Sequence, residues 1–284
     1  SMFDKLNVPV DSPLRQAIPI MNPLTDEYPL VRTTLLSSIF ENTVRNLSRK
    51  NEDIRLFEVA PVFFPKALPV TEQPDEVLKL AGMMMGRRDP LGWAQSNDAV
   101  DFYDAKGAVE QLLAGLSIGH YTVERGEHFA MHPGKTAFFK KGREVIAAVG
   151  EVHPAVAAAF DVTKKMYIFE MDVATLMKYS AAKFSYQSLP KYPAISRDLA
   201  MLVDEQVSAS AIEQVIAKNA GKHFKEVCLF DLYTGKQIAA GKKSLAITMQ
   251  FQSADKTLTD EEVDEAFQHI VEAVAREFDA ELRA

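Results

Sequence analysis

The chain has 284 residues, of which 47% are hydrophobic and 25% charged, enough for two folded domains with separate cores. Its single cysteine excludes an intrachain disulfide, so we expect a reducing compartment, the cytoplasm. No apolar run reaches the roughly 18 residues of a membrane span, and we expect no membrane partner. The net charge of −7 argues against general coating of nucleic acid.

The first 50 residues predict an extended segment followed by a helix. Ser1 before Met2 is typical of tag removal, so we expect a cloned piece of a longer protein. Thr33 or Thr34 is placed to cap a helix that runs to about Lys50. Its apolar side chains recur at three- and four-residue spacing, which fits a core helix and a subunit-interface helix equally. They are Leu36, Ile39, Phe40, Thr43, Val44 and Leu47.

The rest of the first domain predicts more strands than helices. We predict strands over 53–63, 78–86, 121–124, 145–149 and 166–172, helices over 108–115 and 155–160, a turn over 131–137, and a lead-in to the first helix over 102–107. Short links between strands are typical of a mostly antiparallel sheet with flanking helices. We therefore assign residues 1–180 to an α+β domain and expect a linker over 181–190.

The pattern of the remaining residues, 191–284, predicts a complete small domain. Alternating apolar runs predict strands over 198–203, 227–233 and 244–251, with a last short strand over 281–283. Helical patterns fill 209–220 and 260–278. The order β-α-β-β-α-β is that of a ferredoxin-like sandwich, which has helices on one side of its sheet only.

Strand alternation predicts what the open face of this sheet carries. Two sets are expected to pack on the helices: Cys228, Phe230 and Leu232, and Leu245, Ile247, Met249 and Phe251. The opposite face would then present Asp231, Tyr233, Ser244, Ala246, Thr248 and Gln250, small and polar apart from one carboxylate and one ring. RRM-type domains stack unpaired bases on such a face. The alternative is that Tyr233 is an ordinary strand residue near a turn.

Other candidate sites are weaker. Six lysines fall in turns around the open sheet, either as a basic rim for a docked partner or as scattered solvent lysines: Lys218, Lys222, Lys225, Lys236, Lys242 and Lys243. The set His128, His132, Glu151 and His153 resembles metal-ligand spacing. A Pro-Gly after His132 and Pro154 after His153 favour turn stabilisation instead. We expect no metal site, no catalytic thiol at Cys228 and no phosphate-binding loop.

Four blocks of the second domain resemble one known module. They are Tyr-Pro-Ala-Ile-Ser-Arg-Asp-Leu at 192–199, Leu-Phe-Asp-Leu-Tyr-Thr-Gly at 229–235, Gly-Lys-Lys-Ser-Leu-Ala at 241–246 and Thr-Leu-Thr-Asp-Glu-Glu-Val at 257–263. In this order and spacing they look like the ferredoxin-fold anticodon-binding domain of the bacterial phenylalanyl-tRNA synthetase β subunit. Arg197 and Asp198 are expected to form an ion pair at the strand edge.

Blocks of the first domain resemble the catalytic-like module of the same family. They are Asn-Pro-Leu at 22–24, Arg-Thr-Thr-Leu-Leu at 32–36, Asn46 with Arg49, Arg-Leu-Phe-Glu-Val at 55–59, Phe-Tyr-Asp-Ala-Lys-Gly at 102–107, His-Pro-Gly at 132–134 and Gly-Glu-Val-His-Pro at 150–154. The resemblance implies a class II synthetase fold that has lost its active site. Arg55 matches an ATP-binding arginine of class II enzymes, but no second arginine follows a Gly-rich strand, so packing or an ion pair is expected for it.

The resemblance also implies partners and residue roles. The chemistry, with ATP and Mg²⁺, is expected in a partner α subunit of an α2β2 tetramer, with no cofactor bound by this chain. Its helix would lie at the subunit interface through Leu36, Ile39, Phe40, Val44 and Leu47, with the core alternative still open. The tRNA(Phe) anticodon would meet Asp231, Tyr233, Ser244 and Ala246, and its phosphates Lys236, Lys242 and Lys243.

Two alternatives from other functional classes remain open at this point. One is a stand-alone RNA- or protein-binding module with no associated catalysis. The other is an active small-molecule ligase that uses the strand of Arg55.

Overall fold

A computed structural model describes residues 1–25, 29–180, 188–235 and 238–283. The chain divides into two compact units, Ser1–Phe184 and Ser185–Ala284. Of the expected linker over 181–190, residues 181–187 lie outside the described residues. Within the described ranges, no helix is long and apolar enough to cross a membrane.

The first unit is built on a six-stranded sheet. Its elements in chain order are α1 (Met2–Lys5), a 3₁₀ turn (Pro13–Arg15), α2 (Leu36–Ser48), β1 (Ile54–Phe64), β2 (Asp75–Met85), α3 (Phe102–Gly115), β3 (Thr122–Arg125), β4 (Met131–Lys141), β5 (Glu144–Val152), α4 (Pro154–Ala159), β6 (Met166–Asp172) and α5 (Val173–Tyr179). The strand order is β1-β2-β6-β5-β4-β3, and every neighbouring pair is antiparallel. The α+β class and the antiparallel sheet expected for this unit are thus confirmed.

Helix α2 fills a core against one part of this sheet. Leu36, Ile39 and Phe40 are buried, and they pack with Ala81 of β2 and Ala148 of β5. Leu47 packs partly buried against the same cluster, whereas Val44 is 37% exposed.

The burial of these side chains corrects their predicted role at a subunit interface. Leu36, Ile39 and Phe40 have no surface left for another subunit, so for them the core alternative holds over the interface assignment. Only Val44 and Leu47 of the five could take part in a subunit contact, which stays a prediction. The helix begins at Leu36, whose N–H donates to Thr34 Oγ1 at 3.1 Å, the contact expected of a threonine that caps the start of the helix.

Two element predictions for this unit were wrong, and one helix was not predicted. Helix α3 begins at Phe102 rather than 108, because Asp101 caps it and forms a capping box with Asp104. The predicted turn over 131–137 is the first half of β4, which pairs with β5 across a register shift. Helix α5 was not predicted; it is a short helix capped by Asp172, whose carboxylate accepts from the Thr175 N–H at 2.8 Å.

The Asp104 carboxylate ties helix α3 to the end of β2. Arg88 Nε donates to it at 2.9 Å, and the Asp101 N–H donates to it at 2.7 Å. Burial raises the pKa of the Asp104 carboxyl, but these hydrogen bonds outweigh burial and hold the pKa below its usual value. A lowered folded-state pKa stabilises the fold above the unfolded value near 3.9, and this stability is lost as pH falls through the folded pKa.

We expect Asp104→Asn to lower the free energy of unfolding of this unit by about 1–2 kcal/mol at pH 7, because the charge that holds Arg88 is removed. The difference from wild type should narrow as pH falls below about 4. Hydrogen exchange of the α3 amides at pH 7 and in acid measures both effects. Asp98→Asn is the control, since Asp98 lies 3.7 Å from Arg88 and is mostly exposed. An equal loss at both pH values would contradict a role for the charge.

The second unit has the predicted β-α-β-β-α-β order, which is confirmed. Its elements are β7 (Ile195–Asp204), α6 (Ala209–Asn219), β8 (Phe224–Tyr233), β9 (Lys242–Phe251), α7 (Asp260–Phe278) and β10 (Glu281–Arg283). The sheet order is β10-β7-β9-β8, all antiparallel. One face of β7 and β9 packs with the apolar sides of α6 and α7 to form the core.

The sequence predicted an ion pair between Arg197 and Asp198, but Arg197 instead pairs with two carboxylates of α7. Its guanidinium donates to Asp260 Oδ1 at 2.6 Å and to Asp264 Oδ1 at 2.9 Å. Both carboxylates lie in the first part of α7, so this residue fastens that helix to β7. Asp198 is exposed and lies opposite Thr248 of β9.

Candidate nucleic-acid interface

The face of the second sheet that is turned away from its helices carries the predicted site residues. In an antiparallel pair, residues directly opposite each other project from the same face. Asp231 of β8 lies opposite Ala246, and Tyr233 lies opposite Ser244. Leu245 and Ile247, which alternate with these β9 residues, are fully buried in the core. Asp231, Tyr233, Ser244 and Ala246 therefore share the open face.

The predicted alternation of β8 was wrong at its centre. Val227 and Leu229 are the residues that pack against the core, whereas Cys228 is exposed. The register runs from Leu229 opposite Ile247 to Asp231 opposite Ala246, so Phe230 is an extra residue in a β-bulge. Phe230 is 57% exposed rather than buried on the helix side. The bulge lets Leu229 face the core while Asp231 still faces outward.

Gly235 positions the ring of Tyr233. The two residues are separated only by Thr234, and a Cβ atom at position 235 would lie 2.5 Å from Cζ of Tyr233. The tyrosine ring thus lies against the bare Cα of this glycine and is 41% exposed. Sequence alternation could not show this contact, because it depends on how the chain turns after β8.

The open face is more acidic than the sequence predicted. Asp198 lies opposite Thr248, and Glu226 lies opposite Gln250, so both join Asp231 on this face. All three side chains belong to exposed residues. Three carboxylates disfavour the close approach of phosphates, whereas they can accept hydrogen bonds from base edges.

The lysines expected to hold phosphates differ in their surroundings. Lys242 forms an ion pair with Glu281 of β10, which raises the lysine pKa. The Lys243 ammonium donates to the Glu205 carbonyl at 2.9 Å. Lys236 lies outside the described residues. Lys218, Lys222 and Lys225 are exposed.

Family models match nearly the whole chain. Residues 1–173 match the model described as the phenylalanyl tRNA synthetase beta chain CLM domain, and residues 190–283 match the ferredoxin-fold anticodon binding domain. The chain belongs to the phenylalanyl-tRNA synthetase β chain family. The expected resemblance is thus confirmed for both units.

Proteins named phenylalanine–tRNA ligase beta subunit match nearly the full length of this chain. Phenylalanine–tRNA ligase beta subunits are 39% identical in Syntrophotalea carbinolica and 38% identical in Clostridium tetani, each over 99% of this chain. The protein of that name in Halalkalibacterium halodurans is 38% identical over 95% of the chain. The chain spans only about a third of the length of these curated relatives, 35%, 34% and 33% respectively.

Among solved structures, a pyrrolysyl-tRNA synthetase from Desulfitobacterium hafniense is 14% identical, with a TM-score of 0.44 over 65% of this chain and 64% of that one.

In the β-chain module of the first unit, two backbone carbonyl groups hold the Arg55 side chain. Its guanidinium donates to the carbonyl of Arg87 at 3.3 Å and to that of Arg88. Both carbonyls follow the end of β2, so Arg55 fastens β1 to the neighbouring loop. Neither contact is an ion pair, which was one of the two roles that the sequence predicted for Arg55.

The histidines of this module stabilise local structure. His132 Nδ1 accepts from the Gly134 N–H at 3.0 Å, and His153 Nδ1 accepts from the Ala155 N–H at 3.1 Å as the cap of α4. His128 Nε2 contacts Glu170 at 3.0 Å, and Glu151 pairs with Lys135 at 2.7 Å. Among the residues that the structure describes, no three His, Cys, Asp or Glu side chains form a group that could hold a metal ion.

Proposed function

We propose that this chain is part of a phenylalanine–tRNA ligase and supplies tRNA anticodon binding and a subunit contact rather than the chemistry. The open face of the second unit carries this proposal, because Tyr233 and Asp231 are exposed side by side on the sheet of a domain that matches an anticodon-binding family. The names of the relatives support the ligase as a whole.

The anticodon-facing residues have complementary roles in this proposal. Tyr233 stacks on an unpaired base, held in place by Gly235. Asp231 accepts two hydrogen bonds from the Watson–Crick edge of a guanine. Ser244 and Ala246 are small and sit opposite these two residues, which leaves room for a base to lie close to the sheet. Lys242 and Lys243, with Lys236, provide weak contacts to phosphates.

The first unit is proposed as an inactive class II synthetase-like module over residues 1–180. The backbone contacts of Arg55 support this, because its guanidinium is already engaged. The catalytic step, with ATP and Mg²⁺, is assigned to a partner α subunit in an α2β2 heterotetramer. That assembly would act on tRNA(Phe) in the cytoplasm.

We expect Tyr233→Ala to weaken binding of the tRNA(Phe) anticodon stem-loop by about 1–3 kcal/mol, the usual value of one base–aromatic stack. Gly235→Ala should weaken binding in the same direction, since the added methyl group displaces the ring. Equilibrium titration of a fluorescent stem-loop at two salt concentrations measures both effects.

Two controls separate the open face from simple charge attraction. Replacing the guanine at the first anticodon position should weaken binding to wild type and have less effect on Asp231→Ala. Salt-sensitive binding that ignores Tyr233, Asp231 and the anticodon sequence would mean that only lysines are involved. If neither this chain nor the whole ligase that contains it prefers the cognate stem-loop, the proposed function is wrong.

A further inference from the structure

We infer that a cavity in the first unit binds a small organic ammonium ion, a protonated amine with an apolar body, through the carboxylate of Glu170. This site is independent of the proposed function, because it involves neither RNA nor the open face of the second unit. The cavity has a volume of about 290 Å³, close to the lower limit for small-molecule sites.

The strand register places Glu170 on the face of the six-stranded sheet that α2 covers. Glu170 of β6 lies directly opposite Ala81 of β2 and opposite Ala148 of β5. Opposite residues project from the same face, and both alanines are buried in the core that contains α2. Both neighbours end in a methyl group, so they leave space beside the carboxylate. Glu170 and Ala148 line the cavity.

The partners of the Glu170 carboxylate are neutral groups. Oε1 accepts from Thr34 Oγ1 at 3.2 Å, and Oε2 accepts from His128 Nε2 at 3.0 Å. His128 Nδ1 accepts the Ala130 N–H at 3.3 Å, so this nitrogen carries no proton and the imidazole is neutral. Within the described ranges, no lysine or arginine pairs with Glu170, although its side chain is only 21% exposed.

The other carboxylate of the cavity is balanced by a lysine. Asp172 Oδ2 lies 3.1 Å from Lys79 Nζ, and Asp172 Oδ1 accepts the Thr175 N–H at 2.8 Å. Lys79, Glu170 and Asp172 are the charged residues among those that line the cavity, so one negative charge is left over. A charge that is largely withdrawn from water is costly unless a cation offsets it. The cavity therefore favours a cation over an anion.

Glu170 can still accept hydrogen bonds from a ligand. A carboxylate has about four lone-pair sites, and Thr34 and His128 occupy two of them. An ammonium group carries donors alone, which matches the remaining acceptor sites. Hydrogen bonds between two charged groups are also the stronger kind.

The apolar walls favour an organic ion over an inorganic one. Leu14, Phe64 and Phe129 line the cavity and pack, partly buried, against the core that contains α2. Inorganic cations need several oxygen or nitrogen ligands, and the described part of the chain brings no three His, Cys, Asp or Glu side chains together for one. Apolar side chains instead cover the body of an amine, and aromatic rings attract its charge.

The experiment compares three small aromatic molecules in calorimetric titrations of this chain. Benzylamine should bind at least about tenfold more tightly than benzyl alcohol, a neutral molecule of the same size, as one hydrogen bond to a charged group implies. Benzoate, an anion, should bind more weakly than the alcohol. Glu170→Gln keeps the shape of the side chain without its charge and should abolish the preference for the amine.

Glu58→Gln is the matched control. Glu58 is also partly buried in the first unit, but it pairs with Arg32 at 2.6 Å and does not line the cavity. This variant should keep the wild-type preference for benzylamine over benzyl alcohol.

The His128 ring reports where the amine binds. Its Nε2–H donates to Glu170, so the ring ¹⁵N resonances of His128 should shift during a benzylamine titration more than those of the other histidines. This measurement uses wild type, so it decides the question even if Glu170→Gln does not fold. Hydrogen exchange of the β6 amides tests whether that variant is folded.

Two results would overturn the inference. Equal binding of benzylamine and benzyl alcohol by wild type would mean that Glu170 serves only to fasten Thr34 and His128 to the sheet. A preference for benzylamine that survives in folded Glu170→Gln, or that leaves the His128 resonances unmoved, would place the amine elsewhere on this acidic protein. Neither result bears on stem-loop binding, so the proposed function is tested separately.

Discussion

Phe40→Ala should lower the free energy of unfolding of the first unit by about 3–5 kcal/mol, the usual cost of removing a buried phenyl ring. Phe40 is fully buried in α2, and its ring stacks on Phe160 with centroids 4.9 Å apart. The buried cluster that contains Phe40 also takes side chains from β1, β2, β5, β6 and α4, so the cavity cannot close without moving the sheet. Hydrogen exchange of the α2 and β1 amides measures the loss.

The control distinguishes a core helix from an interface helix. Val44 lies on the same helix but is 37% exposed, so Val44→Ala should cost less than about 1 kcal/mol. If the proposed subunit contact uses this side of α2, Val44→Ala will weaken assembly with the α subunit while leaving the exchange rates unchanged. A Phe40→Ala variant of near wild-type stability that fails to assemble would overturn the core assignment.

Phe251→Ala should destabilise the second unit by a similar amount, about 3–5 kcal/mol. Phe251 is 1% exposed at the end of β9, where it lies opposite Ile195 of β7 and opposite Phe224 of β8. Its ring meets that of Phe224 edge-on, with centroids 6.1 Å apart. The loss therefore weakens the packing beneath three strands at once. Hydrogen exchange of the β7 and β9 amides reports it.

Thr248→Ala is the matched change on the other face of β9. Thr248 alternates with the buried residues and is only half-buried, so its loss should cost less than about 1 kcal/mol. Phe251→Ala, at a temperature where it stays folded, should bind the anticodon stem-loop as wild type does, because the ring lies beneath the sheet. Weaker stem-loop binding by the folded Phe251→Ala protein would show that the open face depends on the core ring.

Local sequence signals specified the helices of the second unit well. Helix α7 spans the predicted residues, Asp260–Phe278, because Thr259 and Glu262 form a capping box that marks its start. Asp101 and Asp104 form the same kind of capping box and mark the start of α3 at Phe102, six residues before the predicted start. Helix ends are encoded within a few residues, so they can be found without knowing the fold.

Partners of long polar side chains could not be found in this way. Arg197 is followed by Asp198, but in a strand neighbouring side chains project from opposite faces, so the two do not meet. The carboxylates that Arg197 does bind, Asp260 and Asp264, are more than 60 residues away in the chain. Arg55 likewise binds carbonyls beyond β2, which the sequence around it does not reveal.

The sequence alone determined the order of strands and helices in the second unit, the family and the placement of Asp231 and Tyr233 on an open face. Only the tertiary structure decided that α2 is buried and that Phe230 and Cys228 are exposed. The physical reason is that a bulge exists only relative to the partner strand. The order of residues along β8 is the same whether or not the strand contains a bulge. Only the pairing of Leu229 with Ile247 and of Asp231 with Ala246 shows the inserted residue.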